Sequence, residues 1–493
     1  MSRNGTRFIF AAWVFACLPL GVRGEDIPKH PTEIQFPPLD YKLPPASQFR
    51  QTLSNGMIVY VAEDRMLPTF DMTITVRVAA ALDPPEKAGR AGLAAEQLRD
   101  GGTERLAPAD FDEEIEFLAA NIGSSMDDTS GTIRLSCLSK DIDAALALMN
   151  EMLRKPRYDE DRLRLAKERN IQNTKRRNDS TDSISNIEWG FQMNGEDHFS
   201  NRYPSSATIN TITRDDLIAF HKRYYHPGNM MVAVAGDFDK GEMTKKLEKA
   251  FADWPVGETG PTTFPKPTFE PKAGIYMIHK PDVNQGRVTL GHKAIMRGTP
   301  DEFALQVMNS ILGGGAFRSR LVAKVRSDEG LAYNVGSQFG QGVYYPGDFR
   351  CWFQSKSNSC AYATRMVLEE VKRMRDEAPS KVDVDDAVTS IVESFPQRFQ
   401  TKMALLGTYV NDEYTGRDPK YWQTYVENIK KVTPQDVQRV AKTHLHPDRL
   451  VVLTVGNADD VRAGGHDKAP TLKFDEFGTI TTLPLRDPDT LRR

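Results

Sequence analysis

The sequence lacks any strong imbalance of charge: 64 basic and 67 acidic residues leave a formal net charge of −3 across 493 positions. A field that weak argues against nucleic acid or an anionic membrane as a partner. Cysteine is scarce, at four. Cys17 sits in the N-terminal apolar run, and the other three, Cys137, Cys351 and Cys360, allow at most one disulfide, which excludes a disulfide scaffold. A bridge between Cys351 and Cys360 and three buried free thiols are both open. Histidine is also sparse, with nine in the chain. His221 and His226 stand five apart at one helix end, His444 and His446 alternate at another, and no cluster has the spacing of a zinc knuckle.

What is present begins with an address. Arg3 and Arg7 precede an uncharged apolar run at residues 8–20, and Val22 and Gly24 place compact residues before Glu25. That run is shorter than the roughly 18 residues of a membrane span. The pattern predicts a signal peptide over 1–24 and export to the periplasm or the exterior. Acylation at Cys17 is the minor alternative, because Phe15 fits poorly where a lipoprotein signal has small residues.

A proline-rich extended leader is expected over 25–49. Folded structure is expected to open with a turn at Asn55 and Gly56 running into an alternating strand, followed by a strand at 71–80 and helices near 92–99 and 108–120. In the stretch 141–153, Ile142, Ala145, Leu146, Met149, Met152 and Leu153 recur with the helical period and face a core. Residues 159–177 are also helical but crowded with charge, so one face must meet solvent, a polar cavity or a partner.

The chain then repeats itself. Residues 213–239 align without gaps on residues 433–459, pairing Thr213 with Thr433, Asp216 with Asp436, His226 with His446 and Gly236 with Gly456. In each copy a Thr N-cap opens a helix, His-Pro closes it, and an apolar strand follows. An interval of 220 positions is too long for a solenoid and indicates a duplicated domain. The expected units are 50–254 and 273–465, a tail at 466–493, and an extended linker at 255–272 with five prolines and two glycines.

A triple glycine, Gly313, Gly314 and Gly315, precedes a stretch whose Leu321, Val322 and Val325 suit a short amphipathic helix stopped at Gly330. Arg326 and Tyr333 flank that stop. Either can donate hydrogen bonds to a carbonyl or an oxyanion, or be a surface Arg and a packed Tyr.

Five features occur in a fixed order: Leu53 to Met57 around Asn55 and Gly56, Asp100 through Glu104 with its Gly-Gly-Thr, Tyr225 through Met230 with His-Pro-Gly-Asn, the glycine triplet, and Arg326 to Tyr333. On a duplicated chain, this order resembles the pitrilysin and insulysin family of inverted-motif zinc peptidases, in particular its smaller bacterial and mitochondrial-processing-type members. The resemblance covers roughly residues 50 to 460. It implies an α+β fold of two homologous domains, each a mixed or antiparallel sheet with helices packed on one face, forming half of a clamshell.

In catalytic members of that family a helix before the Gly-Thr turn carries His-x-x-Glu-His, two zinc ligands and the base that activates zinc-bound water. No such sequence occurs in this chain. Counting back from Gly102 and Thr103 places Gly92, Ala95 and Glu96 where the first histidine, the base and the second histidine would stand. The third-ligand region falls near Lys175, where no carboxylate is found. These are degenerate metal-site positions, and no cofactor is expected in this chain.

The resemblance implies a different outcome for Arg326 and Tyr333, which match residues that reach across to the zinc site and hold the substrate backbone or oxyanion. The expectation is a zinc-free subunit of an exported heterodimeric peptidase, inactive alone. Its partner would be a homologous subunit carrying His-x-x-Glu-His and zinc, and its substrate an extended peptide. Gly313 to Gly315 would contribute weakly to substrate binding, or form a plain turn. The alternative is an inert structural or peptide-binding protein, like the respiratory-complex core subunits that share the fold.

Overall fold

The computed structural model describes His30 and residues 41–493. The signal peptide expected at 1–24, with Cys17, and most of the leader expected at 25–49 lie outside the described residues. The remainder is built on two six-stranded sheets.

The first sheet comprises β1 (Arg50–Thr52), β2 (Ile58–Glu63), β3 (Thr69–Val76), β4 (Asn121–Met126), β5 (Gly131–Leu138) and β6 (Met230–Gly236), in the order β1-β2-β6-β3-β5-β4. The second uses β7 (Gly274–His279), β8 (Gln285–Lys293), β10 (Ala332–Phe339), β12 (Asp348–Lys356), β13 (Val451–Gly456) and β14 (Ile480–Leu483). Read in the matching direction, its order is β14-β7-β13-β8-β12-β10. Each sheet has a parallel pair, β2 with β6 and β7 with β13, continued by antiparallel strands. Two short strands, β9 (Ile295–Met296) and β11 (Gln341–Gly342), pair in parallel outside both sheets. The edges break the likeness, because β1 precedes β2 in the chain whereas β14 comes from the C-terminal tail and pairs with β7 in parallel.

Local chemistry sets these elements as the repeat predicts. Thr213 and Thr433 both form reciprocal capping boxes, with Asp216 and Asp436 accepting from the threonine N–H at 2.8 and 3.0 Å. Caps of this kind are worth about 1 kcal/mol each. The strands that follow, β6 and β13, are buried along their whole length. The helix Ile142–Arg154 buries the six periodic residues together with Leu148. By contrast, the charged helix Glu160–Lys175 buries only Leu163, Ala166 and Thr174.

One strand departs from expectation for an instructive reason. The alternation read at β2 predicts one wet face, yet Val59, Tyr60, Val61 and Ala62 are all buried. The face left open by local pattern is covered by a helix from the other half of the chain. The helix Lys402–Thr415 packs on β2, β3 and β6, and its counterpart Thr181–Asn194 packs on β8 and β13. The exchange is reciprocal. Ile184, Trp189 and Met193 enter one apolar cluster with Ile278, Val451, Leu453, Val455 and Leu483. Polar contacts fix both helices: Trp189 Nε1 donates to Asp348 Oδ2 at 2.6 Å, Tyr60 donates to Glu413 Oε2 at 2.6 Å, and Arg50 pairs with Glu413 at 2.8 Å.

After β14 the tail returns to the first half. Arg486 pairs with Glu188 at 2.8 Å and with Glu196 at 2.5 Å, while Asp489 Oδ1 accepts from Thr174 Oγ1 at 2.8 Å. Cys137, Cys351 and Cys360 are all free and buried, so no bridge joins Cys351 to Cys360.

Candidate functional site

The structure brings Arg326 and Tyr333 together. Arg326 lies in a π-helical turn, Val322–Asp328, where a regular amphipathic helix was expected, and Val322 and Val325 anchor that turn in the core. Gly330, at φ 64, takes the left-handed conformation that lets the chain leave the turn for β10. Between Ala332 and Val335 the register of β10 against β12 shifts by one residue, a bulge that holds Tyr333 and Asn334. Bulges re-aim side chains, and here Tyr333 stands 84% exposed.

The guanidinium of Arg326 lies 4.4 Å from the centroid of the Tyr333 ring and 4.9 Å from that of Phe317. Phe317 is itself 69% exposed, an unusual position for a large apolar ring. Among the described residues no carboxylate lies within ion-pair distance of Arg326. Stacking therefore orients a guanidinium whose charge and N–H groups stay available to an incoming carbonyl or anion. Sequence reasoning missed Phe317; the one signal was a large aromatic ring directly behind a glycine turn.

The glycine triplet backs this stack. Residues Ser310–Gly314 form a second π-helical turn. A Cβ on Gly313 would stand 2.6 Å from the backbone nitrogen of Ser337, so its absence lets the turn press on β10. Asn309 locks the contact, accepting from Ser337 Oγ at 2.9 Å. Gly313 is buried, Gly314 is exposed and Gly315 is half-buried. Two π-turns flanking one exposed stack are notable because such turns are rare and concentrate at functional sites.

Of the degenerate metal-site positions, Gly92, Ala95 and Glu96 lie on the helix Arg90–Asp100 and Lys175 on the helix Glu160–Lys175. Gly92 faces open space, Ala95 is fully buried, and Glu96 points toward the helix Glu160–Lys175. There Glu96 pairs with Arg169 and accepts from Asn170 Nδ2 at 3.1 Å. Arg169 also lies 3.8 Å from Asp100, whose carboxyl is pushed up by burial and by Glu96, against the pull of Arg99 and Arg169. Lys175 is exposed at the far end of its helix, and its neighbour Thr174 is tied to Asp489. The residues of that helix that meet Glu96 are thus Arg169 and Asn170, not Lys175. A guanidinium on the one remaining carboxylate is hostile to a divalent cation, and the donors present do not make a metal site. Among the described residues no group of three or more His, Cys, Asp or Glu could hold a metal ion.

Residues 211–391 match the family described as the peptidase M16 inactive domain. The chain is 25% identical over 407 residues to the "Non-peptidase homolog YmxG" of Helicobacter pylori, covering 81% of this chain and 91% of that protein. Among solved structures it is similar to the peptidase M16 inactive domain from Pseudomonas fluorescens, with a TM-score of 0.74 at 24% identity over 83% of this chain and 97% of that one. It is also similar to the periplasmic protease PqqL from Escherichia coli, with a TM-score of 0.67 at 15% identity, covering 90% of this chain but 49% of that one. With its duplicated sheets and its metal positions filled by Gly92, Ala95 and an ion-paired Glu96, the chain is similar in sequence and fold to non-catalytic members of the M16 peptidase family.

Proposed function

We propose that the protein is the zinc-free half of an exported two-subunit peptidase. Arg326 and Tyr333 would hold the substrate backbone or the developing oxyanion at a zinc site that a homologous His-x-x-Glu-His subunit provides. The observation that carries the proposal is a half-buried guanidinium stacked between exposed aromatic rings, without a carboxylate partner among the described residues, in a chain whose own metal positions are closed by Arg169. The match to about half of the PqqL chain supports it, because a single-chain protease of that length has room for two such halves. Export rests on the pattern over residues 1–24, and no helix among the described residues is long and apolar enough to cross a membrane. The inert, peptide-binding alternative is favoured by the likeness to a non-peptidase homologue.

Reconstitution separates the two readings. The purified chain alone is expected to cleave no peptide, and mixing it with a metal-bearing relative from the same source should produce cleavage. An oxyanion donor is typically worth about 10² to 10³ in rate. Arg326→Ala and Tyr333→Phe should therefore each lower kcat of the mixture by that order, and the circular-dichroism spectrum of each variant should match the wild type. A partner fully active by itself, or a mixture indifferent to both substitutions, rejects the half-enzyme reading.

A further inference from the structure

A second candidate site lies in the first half. A cleft of about 750 Å³ is lined by Arg154, Lys155, Arg157, Arg214 and Lys222, with Glu104 the only carboxylate in its lining. Two of the five cations are already paired, Arg154 with Asp253 at 3.0 Å and Arg157 with Asp159 at 3.8 Å. Among the described residues Lys155, Lys222 and Arg214 have no carboxylate within ion-pair distance. Arg214 spends its donors on main-chain carbonyls, those of Arg157 at 2.8 Å and Tyr158 at 3.0 Å. Those bonds hold Tyr158 at φ 50, a left-handed conformation rare for a non-glycine residue.

Two buried polar side chains also stand in the wall. Tyr158 and His226 line the cleft, and the Tyr158 hydroxyl and His226 Nδ1 are buried without a hydrogen-bond partner among the described residues. Tyr158 is fully buried and His226 is 6% exposed. Trp254 closes one side, with Arg154 stacked 5.5 Å from its ring centroid. The volume lies within the range of small-molecule sites.

We propose that this cleft binds a small multiply charged anion carrying phosphate or carboxylate groups, held by Lys155 and Lys222. Charge-assisted hydrogen bonds from lysine suit both chemistries. The site is separate from the Arg326 stack, so the proposal does not depend on the half-enzyme reading.

The test titrates the full chain with pyrophosphate and with citrate by calorimetry at constant ionic strength, which removes general screening from the comparison. Saturable binding of one equivalent of either anion is expected, and the two arms tell a phosphate site from a carboxylate site. The double variant Lys155→Gln and Lys222→Gln, at exposed positions, should weaken binding by about tenfold or more, equivalent to losing about 1.4 kcal/mol. Glu104→Gln should strengthen it severalfold, a change that no folding defect imitates. Absence of saturable binding of either anion, or equal affinity in the wild type and the double variant, overturns the proposal.

Discussion

Lowering the pH should weaken the fold through two buried imidazoles, one in each half. His221 and His292 are 7% and 5% exposed, and burial holds both down to about 4. Their hydrogen bonds explain why the neutral form is kept. His292 donates from Nδ1 to Lys293 O at 2.7 Å while its Nε2 accepts from the His446 backbone N–H at 3.1 Å. Protonation would set one N–H against another. His221 donates from Nε2 to Leu153 O at 2.8 Å and stacks on Tyr225.

An unfolded histidine takes up its proton near pH 6.5. Between that value and about 4 the unfolded chain binds more protons than the folded one, so stability present above pH 6.5 falls as the pH drops. At pH 5 the linkage amounts to about 2 kcal/mol for each imidazole and about 4 kcal/mol for the pair. Urea denaturation at neutral pH and at pH 5 measures the loss, and the imidazole Cε1 proton resonances report each titration directly. In His221→Gln the difference between the two conditions should shrink by about 2 kcal/mol. An imidazole of either residue titrating near its ordinary value, or equal stability at both conditions with His221→Gln unchanged, would refute the reasoning.

Trp189→Ala should cost about 3–5 kcal/mol by thermal or chemical unfolding, because the ring is 4% exposed in the cluster between the halves and its N–H holds Asp348. A cost below about 1 kcal/mol would mean that the helix Thr181–Asn194 contributes little to joining them. Restoring the lost motif through Gly92→His, Ala95→Glu and Glu96→His should not restore zinc while Arg169 remains. A guanidinium about 4 Å from a divalent ion opposes it by about 2 to 8 kcal/mol, the lower figure applying as solvent reaches a side chain 58% exposed. Adding Arg169→Glu removes that charge and supplies a third ligand, and metal analysis should then find about one zinc per chain. Stoichiometric zinc in the triple variant alone would contradict the role given to Arg169.

The sequence was most informative where structure is decided locally. The capping boxes at Thr213 and Thr433, the strands after them and the apolar face of Ile142–Arg154 follow from neighbours a few residues apart, and the duplication announced two like sheets. Periodicity names the apolar face of a helix but not the sheet it will cover, so the exchange of Thr181–Asn194 for Lys402–Thr415 was invisible, and with it the burial of β2 on both sides. β14 is too short to read, and π-turns carry no pattern of their own. At the degenerate metal positions, counting along the chain pointed to Lys175, whereas the angle between two helices selects Arg169 and Asn170. The signal that could have located them was the excess of charge over residues 159–177, which called for a polar neighbour.

The exchanged helices also set an order of events during synthesis. The face of β2, β3 and β6 awaits the helix Lys402–Thr415, which leaves the ribosome only after most of the second half has been made. The first sheet, complete once β6 has been made, therefore stays open until that helix emerges, and its apolar face is a target for any holdase that meets the nascent chain. Arg486 and Asp489 tie back to the first half only after both sheets have been made.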